Sequence, residues 1–173
     1  KRDNYVSYIA SRPRAQRAGA HALFTGSDAP LVLSQIAAEV ARHPGNVWLP
    51  IISLRREDAA RLGYDDAGQW KNLIAGYAME MAEAMKIPWE QFRWYAAFHD
   101  QGHHPHIHMV CYSADGRSGY LTREGIARIK SDLAKRIFHQ ELHELYERQT
   151  QRRDELTQEA GVVMAELVQQ MWE

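Results

Sequence analysis

The chain is poor in cysteine, has no surplus of basic charge and lacks any long apolar run. Cys111 is its one cysteine, which excludes an internal disulfide and a cysteine-rich zinc knuckle and leaves any metal chemistry to histidine and carboxylate. No stretch stays apolar for the eighteen or so residues that a membrane span needs, and no signal-peptide pattern opens the chain. The expectation is a soluble, cytoplasmic protein. With 21 basic and 22 acidic side chains, the overall basic excess of a phosphate-tracking protein is missing. The distribution is uneven, however. Lys1, Arg2, Arg12, Arg14, Arg17, Arg42, Arg55 and Arg56 face only Asp3, Asp28 and Glu39 as far as position 56, so a local basic surface is expected. A length of 173 residues suits one hydrophobic core, and 1–173 reads as a single domain.

Periodicity gives a coarse map. Tyr5 to Ala10 is a short apolar-periodic helix stopped by Pro13, and His21 to Thr25 reads as a short strand. Asp28 and Pro30 announce a helix with Leu33, Ile36, Ala37 and Val40 on one face, stopped by Gly45. Val47 to Leu54 is strand-like, with Pro50 pointing to an edge or a bulge. Arg56 to Leu62 reads as a helix closed by Gly63, and Asp66 caps a longer one to about Met85 with Trp70, Leu73, Ile74, Tyr77 and Met81 inward. Phe92 to His99 and His106 to Ser113 form an antiparallel hairpin across the polar loop 100–105. A short strand is expected at Gly119 to Leu121. Thr122 then caps a helix through Ile126, Ile129, Leu133 and Ile137, and helical spacing continues through Leu145, Leu156, Val163 and Leu167, making roughly 123–173 a helical extension. The class is α+β: a central antiparallel sheet flanked by helices, with a long C-terminal helical extension.

Histidine is where the chain is rich. Five of its nine histidines fall between His99 and His108. On a strand alternate side chains share a face, so His106 and His108 point the same way while Ile107 and Met109 turn to the other side. If the loop lays the preceding strand alongside, His99 completes a set of three nitrogen ligands with coordination positions left open, the arrangement of a catalytic rather than a structural ion. Asp100, next in sequence, is a candidate to orient an imidazole from behind, or a solvated turn residue. His103 and His104 read as loop histidines.

The His-hydrophobe-His pair with a further histidine seven residues ahead resembles the third motif of the HUH endonucleases. The blocks "NYVSYIASRP", "HALFTGSDAPLVL", "VWLPIISLRREDAARLGY", "RWYAAFHDQGHHPHIHMVCYS" and "GYLTREGIARIKSDLAKRIF" together resemble the conjugative and mobilization relaxases of the P class, of the kind carried by integrative and conjugative elements of Gram-positive bacteria. The resemblance implies a bacterial cytoplasmic enzyme that nicks and rejoins one DNA strand at a transfer origin through a covalent 5′-phosphotyrosine. It implies a divalent ion on His99, His106 and His108: manganese or magnesium as the functional ion, or zinc, cobalt or nickel. Its partners would be single-stranded DNA at the transfer origin and the accessory and coupling proteins of the transfer machinery. The nucleophile would be a tyrosine near the N-terminus. Tyr8, within Val6-Ser7-Tyr8-Ile9, fits the family's apolar-x-Tyr-Ile pattern better than Tyr5, which stays the second candidate. Relaxases of this class carry a strand ahead of that tyrosine helix and none precedes Tyr5, so the chain reads as a catalytic domain trimmed at its start.

Arg12, Arg14 and Arg17 follow the tyrosine helix and suit phosphate oxygens of a substrate strand. Trp48, Trp89, Trp94 and Tyr95 are candidate stacking platforms, and His21 a candidate subsidiary group. Three rival readings use the same histidines. One is a replication initiator or transposase with Tyr146 as nucleophile, another a zinc hydrolase of a small substrate in which the ion activates water, and the third a non-enzymatic DNA-binding or assembly module whose histidines hold a structural ion.

Overall fold

The computed structural model describes residues 5–17 and 19–172, with the side chains of the last helix described only as far as Gly161. In chain order the elements are α1 (Tyr5–Ser11), α2 (Leu33–Arg42), β1 (Val47–Trp48), β2 (Ile51–Ser53), α3 (Arg56–Leu62) and α4 (Ala67–Ala84). A 3-10 turn at Trp89–Gln91 leads into β3 (Phe92–His99) and β4 (His106–Ser113), followed by α5 (Arg123–Ile137) and α6 (His139–Trp172). The fold is α+β with an antiparallel sheet, as the periodicity indicates. Compact units form over Lys1–Leu133 and Ala134–Glu173.

β4 is the centre of the sheet. β3 pairs along its whole length on one side, from Phe92 opposite Ser113 to His99 opposite His106. On the other side β1 and β2 keep a single register, with Trp48 opposite Cys111 and Ile51 opposite His108. Pro50 splits them because it has no N–H for the ladder, although its carbonyl still accepts from the Met109 amide at 2.8 Å. This is an edge strand broken at proline, as expected.

Alternation along β3 and β4 sorts the core into two layers. Phe92, Trp94, Ala96 and Phe98 alternate with Tyr95, Ala97 and His99, and strand pairing aligns Ile107, Met109 and Cys111 with the first set. On this face the Trp70 ring of α4 stacks on Phe98 with centroids 6.4 Å apart. On the opposite face Val6, Ile9 and Ala10 of α1 and Ile36 and Val40 of α2 pack with Ala97, Val110 and Tyr112. Both faces are therefore covered, which explains why the hairpin is almost wholly buried. The five inward residues expected on α4, Trp70, Leu73, Ile74, Tyr77 and Met81, are all buried.

Several local expectations are corrected. His21 to Thr25 forms no strand: Phe24 makes one isolated bridge to Ala96, because both ring nitrogens of His21 are engaged locally, with the Leu31 carbonyl and the Leu23 amide. Gly119 to Leu121 also forms no strand. Gly119 takes φ +113° against the Trp48 ring, and the Tyr120 amide donates to the Met85 carbonyl at 2.8 Å, so the segment is tied to the end of α4 instead of a sheet edge. α2 starts at Leu33, past the Asp28-Pro30 signal. Asp66 occupies the N-cap of α4, yet the capping is done by Gln16: its Oε1 accepts from the Ala67 amide at 2.8 Å, while its Nε2 donates to Asp66 Oδ1 at 2.9 Å. Thr122 caps α5 as expected, its hydroxyl accepting from the Gly125 amide at 2.9 Å. Leu145 and Leu156 are 46% and 58% exposed on α6, so they face solvent, while Val163 and Leu167 lie outside the described side chains.

The core layer behind the histidines yields a stability test. Phe98 is fully buried beside His99, and Phe98→Ala is expected to lower the free energy of unfolding by about 3–5 kcal/mol, read from urea denaturation followed by tryptophan fluorescence.

Candidate metal centre

Strand register brings the three predicted ligands together. His99 stands opposite His106 across the hairpin, and His108, two residues along, stands opposite Ala97. All three side chains lie on the α1 face, where the small Ala97 leaves room for the imidazoles. Ring centroids are 5.4 Å apart for His99 and His106, 4.6 Å for His99 and His108, and 4.8 Å for His106 and His108. One nitrogen from each lies within 4.8 Å of the others, and among the described residues this is the one group of three or more metal-ligating side chains so placed.

Hydrogen bonds to the remaining nitrogens decide which atoms face inward. His99 Nε2 is 2.8 Å from the Ile9 carbonyl and His106 Nδ1 is 3.0 Å from the His104 carbonyl. A carbonyl only accepts, so each of those nitrogens carries its ring's proton, leaving lone pairs on His99 Nδ1 and His106 Nε2. His108 Nδ1 meets the Tyr5 hydroxyl at 3.1 Å, while its Nε2 faces His106 Nε2 at 3.1 Å. Two imidazole nitrogens bound 2.0–2.1 Å from one ion in a tetrahedral array would stand about 3.3 Å apart. The donor set fits a borderline divalent cation: three neutral imidazoles, each held from behind by a hydrogen-bond partner.

α1 contributes the rest of the site. Tyr5 and Ile9, four residues apart, share its inner face, so one helix turn supplies both the hydroxyl at His108 and the carbonyl at His99. Tyr8 is 47% exposed and lies under the Arg12 guanidinium, 4.6 Å from its ring centroid. The structure therefore brings Tyr5, not Tyr8, within hydrogen-bond distance of the histidines. Arg12 is near enough for its charge to disfavour protonation of His99 and His108. Arg14 is exposed, with its carbonyl accepting from the Asp100 amide at 3.1 Å, and Arg17 bonds the Ala20 carbonyl at 3.2 Å. Asp100 does not back an imidazole. Its carboxylate pairs with Arg56 at 2.5 Å, and the role expected of it at His99 belongs to the Ile9 carbonyl. Among the proposed platforms, Trp94 is buried in the core and Trp89 is exposed.

The family model of the MobL relaxases matches residues 2–173. The chain belongs to the MobL relaxases. No curated protein and no solved structure matches it. Membership makes the chain a relaxase, with DNA nicking in mobilization and binding of single-stranded DNA as the activity of the family. No helix among the described residues is long and apolar enough to cross a membrane.

The sequence points to the three histidines that the fold brings together in this relaxase, but carries no signal for the groups behind them. The Ile9 and His104 carbonyls are backbone groups without a side-chain signature. Arg56, which holds the loop between the ligand histidines, carries only the weak signal of a basic residue at a helix start, where the helix dipole disfavours it. Burial lowers the pKa of His99, and that of His108 to about 4, with neighbouring positive charge acting in the same direction. Both rings are thus neutral at physiological pH, the form that binds a metal.

The sign for stability follows. Between the folded value near 4 for His108 and an unfolded value of about 6.5, the unfolded chain binds more protons, so stability is full above that window and declines as pH falls through it. The groups facing His108 are His99, His106, Tyr5 and Arg12, none of which offers a carboxylate to offset its protonation. The thermal midpoint of metal-free protein is expected to drop steadily from pH 7 to pH 4, and His108→Gln is expected to flatten that slope in a pH series of calorimetric melts.

Proposed function

We propose that this relaxase is a P-class member of the HUH superfamily that nicks and rejoins one strand at a transfer origin through a 5′-phosphotyrosine on Tyr5. His99, His106 and His108 hold a divalent ion in this reading. The observation that carries it is the Tyr5 hydroxyl, 3.1 Å from Nδ1 of the same His108 whose Nε2 faces the other ligand histidines. A divalent ion there would supply positive charge to the non-bridging oxygens of the scissile phosphate.

The protein's own groups do the remaining work. Burial raises the pKa of Tyr5, so its phenol is protonated at neutral pH and attacks only with help. His108 provides that help. When its Nε2 serves as a ligand atom, the ring's proton resides on Nδ1, which then donates to the Tyr5 oxygen and favours the phenolate. Without a ligand role the polarity is opposite, with Tyr5 donating to Nδ1. In the transfer step a bond forms from the Tyr5 oxygen to phosphorus and the bond from phosphorus to the 3′-oxygen breaks; Tyr5 gives up its proton and the departing 3′-oxygen takes one. The reverse step reseals the strand without a nucleotide cofactor. Arg12, held against the Tyr8 ring beside the histidines, is positioned to receive a phosphate of the bound strand.

The rival nucleophile Tyr146 lies on α6 and is 69% exposed. A hydrolase would have no need of a tyrosine bonded to a ligand histidine. Incubated with manganese and single-stranded DNA bearing the cognate transfer origin, the wild-type protein is expected to form an adduct that peptide mass spectrometry locates on Tyr5. Tyr5→Phe should lower nicking at least about 1000-fold, whereas Tyr8→Phe should keep the adduct. An adduct on Tyr8, or undiminished nicking by Tyr5→Phe, contradicts the assignment.

A further inference from the structure

The loop that joins β3 and β4 is held at three carbonyls, those of Gly102, His103 and Pro105, by one short segment at the start of α3. The Leu54 amide donates to the Pro105 carbonyl at 3.1 Å and the Arg56 amide to the His103 carbonyl at 2.8 Å. The Arg56 side chain adds three contacts. Its Nε and Nη2 converge on the Gly102 carbonyl at 3.1 and 2.8 Å, and its Nη1 reaches Asp100 Oδ1 at 2.5 Å. Gly102 takes φ +61°, a left-handed conformation that turns its carbonyl into the guanidinium fork. The carbonyl that lies between the held carbonyls of His103 and Pro105, that of His104, is the one that orients His106 through Nδ1 at 3.0 Å.

We infer that Arg56 is a positioning residue for the metal centre, setting cation affinity by clamping the 100–105 loop so that the His104 carbonyl presents His106 Nε2 to the other two ligands. This rests on the metal-binding reading of the three histidines and adds a residue that touches none of them. The fork is what matters. A guanidinium meets Gly102 and Asp100 at once with planar, preset geometry, while an ammonium offers a point charge on a flexible stem.

Charge and geometry make opposite predictions here, which makes the inference testable. If Arg56 acted through its positive charge, removing it would leave Asp100 unopposed near the centre and tighten cation binding, and Arg56→Lys would behave as wild type. If it acts as a clamp, both Arg56→Ala and Arg56→Lys lose the fork on the Gly102 carbonyl, leaving the loop held only by the Leu54 and Arg56 amides, and weaken binding, by about 10- to 100-fold on the scale of lost ligand support.

The experiment is calorimetric titration of the metal-free 173-residue chain with Mn2+ and, separately, Zn2+, comparing wild type, Arg56→Ala, Arg56→Lys and His106→Ala, with urea denaturation of each metal-free protein alongside. The expected result is measurable wild-type binding, abolished by His106→Ala and weakened alike by both Arg56 variants, whose metal-free stability stays near wild type because the clamp lies at the surface. Should Arg56→Ala unfold, Arg56→Lys, which keeps the charge and the aliphatic stem, carries the comparison. Wild-type affinity in Arg56→Lys, or tighter binding by Arg56→Ala, overturns the clamp while leaving the metal reading intact. Failure of the wild-type protein to bind either ion overturns both.

Discussion

The pairing of β3 with β4 determines which side chains share a face of the sheet, and the candidate centre depends on that register more than on any other contact. With His99 opposite His106, the alternation of the strands sends His99, His106 and His108 to one side. A slip of one residue in either strand would carry its histidines to the other layer, among Phe98, Ile107 and Met109. The register is secured because both layers are apolar and buried: α4 packs on one face, α1 and α2 on the other. A displaced strand would therefore bury imidazoles without partners as well as separate the ligands.

Placing three imidazoles in such an apolar layer requires that the nitrogens turned away from their meeting point be satisfied, since an unpaired buried polar atom is costly. The molecule meets this with backbone carbonyls for His99 and His106 and with a phenol for His108. That asymmetry has a chemical consequence. Two ligands are fixed to groups that only accept, so their proton positions are set before any ion arrives. The third is fixed to a hydroxyl that donates or accepts, so the tautomer of His108 and the polarity of the bond to Tyr5 change together. The same hydrogen bond that satisfies His108 thus couples the three-histidine group to the Tyr5 hydroxyl.

α1 is short, yet it joins both functions because its inner face repeats every four residues: Tyr5 reaches one strand and Ile9 the other. The following turn brings Ala15 alongside His99 as an isolated bridge and leaves Arg12 between them, near the histidines. The basic N-terminal stretch is consequently used locally, one arginine at the site and others at the surface, in a chain whose total charge is close to neutral.

Much of this was legible in the chain itself. The two central strands were delimited residue for residue by β-propensity and alternation, and the three ligands by histidine density and the His-x-His period, because both signals are local. The helices with strong periodicity and clear stops, α3 and α4, were equally readable. The short segments at 21–25 and 119–121 were not, because two or three strand-forming residues commit to a sheet only where an edge accepts them, and here local contacts of His21, Trp48 and Met85 prevailed. Asp100 adjoined a ligand in sequence but faced Arg56 in space. The family resemblance ranks Tyr8 above Tyr5, but only the packing of α1 on the sheet decides which hydroxyl meets His108, since that distance is set by residues about a hundred positions apart. The sequence by itself determined the three histidines and the strands that carry them; the tertiary structure decided which of their nitrogens face one another and which groups stand behind and beside them, because such contacts depend on backbone carbonyls and helix placement that no local spacing encodes.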